Sequence, residues 1–207
     1  MTADRSFIVG WLSDLVAELV HDELDRRDGE KRLAAAAVLA AEEFAGEVLS
    51  LIRIIAESVD APAAFDRMSA PQADEVETGD AVAVLLAVGL AVAGVKVAWP
   101  SRPMARAART RIAAAGEAGL AAVSGMGGEG ADLYAWLSNL VSVSVRVVSE
   151  IAANAVPVVR VATKLSLPSS VLAYQLYGDA SRAQGLVEIA GSATPLLMPA
   201  SFEALAS

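Results

Sequence analysis

Four arginines, Arg102, Arg106, Arg109 and Arg111, stand within ten residues and have no acid among them. Guanidinium groups spaced this closely offer paired hydrogen bonds to phosphate or carboxylate oxygens. On a helix the first three share one face, a surface for a phosphate backbone or for an acidic partner. No aromatic side chain lies between them to stack bases. A solvated face, or a seat for a neighbour such as the acidic stretch 57–80, is the ordinary account of so short a run.

A second pattern is Gly125-Met-Gly-Gly-Glu-Gly130, which fits Gly-x-Gly-x-x-Gly. With a strand through Ala118 to Ser124 and a helix opening near Ala131, its amides would cradle a pyrophosphate, and Glu150 would reach a ribose. Against this, residues 109–123 have the composition of a helix and lack the β-branched run of a buried parallel strand. A glycine linker between two helices is the alternative. The Gly-Lys-Ser/Thr ending of a P-loop is missing.

The remaining reactive groups are sparse. Asp22 with Glu23 and Glu42 with Glu43 are paired acids on helix faces, and His21 has no evident Ser or Asp companions. Cysteine is absent, which excludes disulfides and thiolate metal sites. The expectation is a protein that is not an enzyme and carries no cofactor or metal.

The elements that would position these groups are mostly helices. Hydrophobic residues make up 55% of the 207, aromatics only 5%, so the apolar mass is Ala, Val and Leu, the material of closely packed helices. Residues 1–100 hold 8 basic and 18 acidic side chains, and residues 101–207 hold 8 and 7. The acidic first half argues against a general nucleic-acid surface there, while the arginines leave a local contact open. Met1 to Asp4 has no basic segment, so no cleaved signal peptide is expected.

Ile8, Trp11, Leu12, Leu15, Val16, Leu19 and Val20 recur at steps of three and four, predicting a helix over 6–27 that Asp28-Gly29 breaks. A second helix over 30–58 carries Val48, Leu51, Ile52 and Ile55, making residues 1–58 a helical hairpin. Residues 59–80, with Pro62, Pro71, Gly79 and many acids, read as an exposed acidic linker. Residues 81–155 read as a helical core region. Within it, Ala81 to Trp99 is the most apolar run, just short of the roughly 20 residues that span a bilayer, so a membrane-associated helix is the competing reading. The Val/Ser alternation at 141–147 has strand period, but the face made by Leu133, Trp136, Leu137, Leu140, Val141, Val148 and Ile151 favours helix. Residues 156–163 are too short to assign.

The last segment, 156–207, predicts a small α+β module of two short helices and a closing extended stretch. Leu172, Leu176 and Tyr177 line one helix face, Gly178 suits a left-handed helix end, and Asp179 suits a cap for the next helix. Leu176-Tyr-Gly-Asp179, with Arg182, Leu172-Ala173, Leu186-Val187 and Leu133-Tyr134, resembles the C-terminal region of the Mu-type bacteriophage DNA-circularisation (tail) protein family, over about 129–207 and less clearly from 102. The end, from Tyr177 to Leu205, also looks like a LysM-type half motif. Glu188-Ile-Ala-Gly191 and Ala193-Thr-Pro195 depart from the family pattern, and its β-rich N-terminal domain has no counterpart in residues 1–100. The resemblance implies a structural part of the distal tail tube or baseplate hub in the virion. It also implies a ring-like homo-oligomer contacting other tail, baseplate or tape-measure proteins. A ring subunit would use the apolar faces of 6–58 and 81–99 as contacts.

The expectation is therefore a mainly α fold, of helical hairpins and long helices with a small α+β C-terminal module.

Overall fold

Apolar residues at steps of three and four become helices along most of the chain in a computed structural model, which describes residues 3–206. The fold is mainly α, with one small two-stranded antiparallel sheet near the C-terminus. The described residues divide into two compact units, 3–99 with 104–151, and 100–103 with 152–206.

The first unit opens with three helices where a two-helix hairpin was expected: α1 (Arg5–Leu19), α2 (Glu23–Ala36) and α3 (Ala41–Glu57). The predicted apolar stripe of α1 is buried as read. The break falls earlier than Asp28-Gly29 because the Asp22 carboxylate accepts hydrogen bonds from the amides of Leu24 and Asp25, starting a new helix there. Gly29 therefore lies inside α2, buried against Val16. The second break, after Ala36, has no Gly or Pro to announce it. It lets Leu33 and Ala36 on one side and Phe44 and Val48 on the other all reach the core. Arg5 holds the turn by donating to the Leu39 carbonyl at 2.7 Å. An Arg32–Glu47 ion pair at 2.7 Å joins α2 to α3 and holds the Glu47 carboxyl below its usual range.

Residues 59–80 are not the exposed linker that their charge suggested. They contain α4 (Pro62–Arg67), opened by a proline at the first helical position, and the first turn of α5 (Val76–Lys96). Val59, Phe65, Met68 and Thr78 are buried among the acids. The Trp11 indole donates to the Ser69 carbonyl at 2.9 Å, and the Asp4 amide to the Thr78 hydroxyl at 2.8 Å.

α5 is apolar on nearly every side, the pattern of a helix surrounded by others. Glycines let the neighbours approach. A Cβ at Gly94 would come within 2.4 Å of the Ile112 terminal methyl, and one at Gly89 within 2.7 Å of the Met68 methyl. Ile112 belongs to α6 (Arg102–Ser124), which a short 3₁₀ turn at Gly127–Gly130 connects to α7 (Ala131–Asn154). The Val/Ser run 141–147 is thus helical. Along α6 the buried positions Ala105, Ala108, Ile112, Gly116, Gly119 and Val123 keep steps of three and four. Gly116 receives Val141 of α7, whose methyl carbon would lie 2.5 Å from an added Cβ.

The second unit is built in the order β1 (Val158–Ala162), α8 (Ser169–Tyr177), α9 (Ala183–Ala190) and β2 (Ser201–Leu205). The strands pair antiparallel with Val158 opposite Leu205 and Val161 opposite Phe202. Residues 156–163, left unassigned from sequence, thereby supply the strand that completes the module. Leu172, Ala173, Leu186, Met198, Phe202 and Ala204 form its buried core.

Gly116→Ala gains about 1 kcal/mol of helix propensity but loses about 1–3 kcal/mol to overpacking, since a β-branched Val141 is stiff at χ1. Thermal unfolding is expected to show net destabilisation, and adding Gly116→Ala to Val141→Ala is expected to cost nothing further. A Gly116→Ala protein as stable as the parent would show that the two helices separate freely.

Candidate functional site

The segment singled out by its sequence, Leu176 to Arg182, is the hinge between α8 and α9. Gly178 ends α8 in the left-handed region, with φ +70°, and its amide donates to the Tyr174 carbonyl at 2.8 Å. Asp179 then caps the 3₁₀ turn 180–182, its carboxylate accepting from the Ser181 amide at 2.9 Å. The Ser181 hydroxyl first, and then this amide, hold the Asp179 carboxyl below the ordinary value of 3.8. The Arg182 guanidinium stacks over the Tyr177 ring at 4.0 Å. The Tyr177 hydroxyl accepts from the Leu205 amide at 3.0 Å, which ties the helix end to the last strand. Leu176 packs against the core cluster. These five residues are brought together, and each has a structural task in closing the module. The stack of Arg182 on Tyr177 and the long-range bond to Leu205 were not read from sequence. The only signal for them was an aromatic and a cation five residues apart around a Gly-Asp turn.

The arginine cluster comes apart. Arg102 donates to the Ala153 carbonyl at 3.2 Å, and its own amide to the Val156 carbonyl at 3.0 Å. Arg111 points the other way round the helix. Its guanidinium donates to the carbonyls of Phe65, at 2.8 Å, and of Met68, and lies 5.1 Å from the Phe65 ring centroid with Asp66 nearby. Burial lowers its pKa, which Asp66 partly opposes. This is a seat on the 57–80 stretch, made mostly to backbone carbonyls. Phe65 in turn meets Trp99 edge-on at 5.2 Å, and the Trp99 indole donates to the Gly94 carbonyl at 2.9 Å. Arg106 and Arg109 remain as exposed cations on α6.

The glycine loop does not form a strand–turn–helix cradle. Ala118 to Ser124, where the dinucleotide reading required a strand, is the end of α6. Gly130 is instead needed for packing, since an added Cβ would meet the Val123 carbonyl oxygen at 2.7 Å. Three of the four paired acids have local partners as well. Asp22 caps α2, Glu23 pairs with Arg26 and Arg27, and the Glu43 carboxylate accepts from the Ala40 amide at 3.4 Å. His21 is exposed between α1 and α2. Among the described residues no group of three His, Cys, Asp or Glu side chains could hold a metal ion.

A cavity in the first unit, about 490 Å³ in volume, is lined by Ile8, Phe44, Val48, Leu85, Met126 and Leu133, among others, and by the carboxylates of Glu77 and Asp80. Its mostly apolar lining suits a hydrophobic group, with two carboxylates in that lining. Further apolar side chains are exposed in each unit: Tyr134, Trp136 and Val143 on α7 of the first, and Val171, Tyr174, Leu196 and Leu197 in the second. No protein-family model and no curated protein sequence matches the chain.

Replacing Tyr177 by Phe leaves the part-buried Leu205 amide without its acceptor, at a cost of about 1 kcal/mol. Chemical denaturation of the Tyr177→Phe protein should read that loss, and unchanged stability would mean that water replaces the hydroxyl. Asp179 is lowered on folding, so its stabilisation is present above the unfolded pKa and disappears as pH falls through the folded one. Carboxyl NMR is expected to titrate it below 3.8. Asp179→Asn keeps the cap and should abolish the acid-side loss of Ser181 amide protection.

Proposed function

We propose that the chain is a structural component of a phage tail, at the distal tube or baseplate hub, assembling through apolar helical faces. The observation that carries this reading is the joint use of the resembling residues. Leu176, Tyr177, Gly178, Asp179 and Arg182 meet at one hinge and close a complete β–α–α–β module. A chance likeness need not fall on the residues that carry the closure of a folded unit. The module also supports the LysM-like reading, since the segment from Tyr177 to Leu205 is the second half of a unit that β1 completes. Its partners are other copies of the chain and neighbouring tail, baseplate or tape-measure proteins. The exposed Trp136, Tyr174, Leu196 and Leu197 supply the kind of surface that assembly buries.

The competing reading is a membrane-associated protein built around residues 81–99. α5 has a mean hydropathy of 2.0 over its most apolar window and is long enough to cross a bilayer. Within its unit, however, α1, α3 and α4 contact it and Ile112 of α6 packs at Gly94. Just over half of that window, 56%, is buried by these neighbours, which favours a core helix.

Mass spectrometry of tail particles, purified without detergent from the virus or prophage that encodes the chain, tests this. The expected result is this chain at a low, fixed ratio to the tube subunit. Its absence from intact particles, with recovery in the membrane fraction, would overturn the tail reading and support the competing one.

A further inference from the structure

α7 has two apolar stripes, although its sequence reads as one long face. The buried stripe is Leu137, Val141, Ser144 and Val148, directed at the rest of its unit. The second is Leu133, Trp136, Leu140, Val143 and Val147, at steps of three, four, three and four. These five positions fall within about 80° of the helix circumference and extend about 20 Å along it. Trp136 is 48% and Val143 39% exposed, and the other three are half-buried. Such spacing is that of a coiled-coil seam, in which each apolar residue seats between residues of a facing helix.

Two features say what covers it. The order of steps reads nearly the same in both directions, so the seam complements its own reverse. Exposed Asp132, Asn139 and Arg146, seven residues apart, flank the seam on one side. Antiparallel pairing of two copies would set each Asp132 against the other copy's Arg146, twice, while parallel pairing would leave these charges about 20 Å apart along the axis. The midpoint of that exchange is Asn139. Its amide both donates and accepts, so it can bond to its own copy across the axis.

We propose that α7 pairs antiparallel with α7 of a second copy of this chain, about a two-fold axis near Asn139, with Trp136 as the buried anchor. An aromatic at the centre of a self-complementary patch is the usual energetic focus of such a contact. A two-fold contact closes at two copies, so it is separate from any head-to-tail contact that would build a ring. The inference stands on the geometry of α7 and not on the tail reading, which particle composition tests on its own.

Sedimentation of the full chain should show a monomer–dimer equilibrium. Trp136→Ser is expected to weaken it on the order of tenfold, with helical circular dichroism unchanged. Arg146→Asp should also weaken it, and adding Asp132→Arg should restore it. Because the chain has no cysteine, introduced thiols report the geometry. Asn139→Cys should cross-link to itself through a short bifunctional maleimide. Asp132→Cys should cross-link to Arg146→Cys in a mixture, with neither variant linking to itself. A folded chain that stays monomeric at every concentration reached would overturn the proposal, as would a dimer indifferent to Trp136→Ser and the charge exchange. So would self-linking of Asp132→Cys, which would show a parallel pair.

Discussion

The first unit depends on enclosing α5. This helix of 21 residues is apolar on nearly every side between its charged ends, so the chain around it must supply apolar surface in several directions. Gly89 and Gly94 set how close that surface comes, admitting Met68 and Ile52 at one level and Ile112 and Phe65 at the next. Burying each such side chain stabilises by roughly 1.5–3 kcal/mol, and a glycine that removes a Cβ converts distance into contact. α3, α4 and α6 each place a side chain at one of those two approaches.

Helix ends create the complementary problem, because their last carbonyls lack partners within the helix. Long side chains from outside the helix solve it repeatedly here. Arg5 donates to the Leu39 carbonyl beyond α2, and Lys96 to the Glu57 carbonyl at the end of α3. Arg111 serves the end of α4, the Trp99 indole that of α5, and Arg102 the Ala153 carbonyl near the end of α7. Cations at such positions also oppose the negative end of the helix dipole. Of the four arginines that look in sequence like a phosphate-binding face, Arg102 and Arg111 hold helix ends, and Arg106 and Arg109 are left to solvent.

The C-terminal module uses the same economy on a smaller scale. Its core is six buried residues, so the polar bonds at its hinge carry more of the burden than in the larger unit. Tyr177 packs against the core and also accepts from β2, while Arg182 covers its ring. α7 shows the opposite condition, with more apolar surface than its own unit covers. Apolar stripes whose centres lie about a quarter of a turn apart do not both seat on one neighbour, and this surplus is what the proposed pairing would bury.

Periodicity in the sequence determined the helices whose apolar faces are regular. The stripes of α1 and α3 and the core of α5 were legible, as were the left-handed end at Gly178 and the cap at Asp179, while at 141–147 a strand-period run competed with the helical spacing. These features depend on residues within one or two turns of each other, and local sterics and hydrogen bonding decide them. Tertiary structure alone decided the rest. Burial of Phe65 and Met68 among acids depends on α5 and on Arg111, more than forty residues away. The break after Ala36 depends on two helices reaching one core. The strand at 158–162 exists only because β2 pairs with it from across the module. A sequence records which side of a helix is apolar, but what covers that side is chosen by contacts between distant segments.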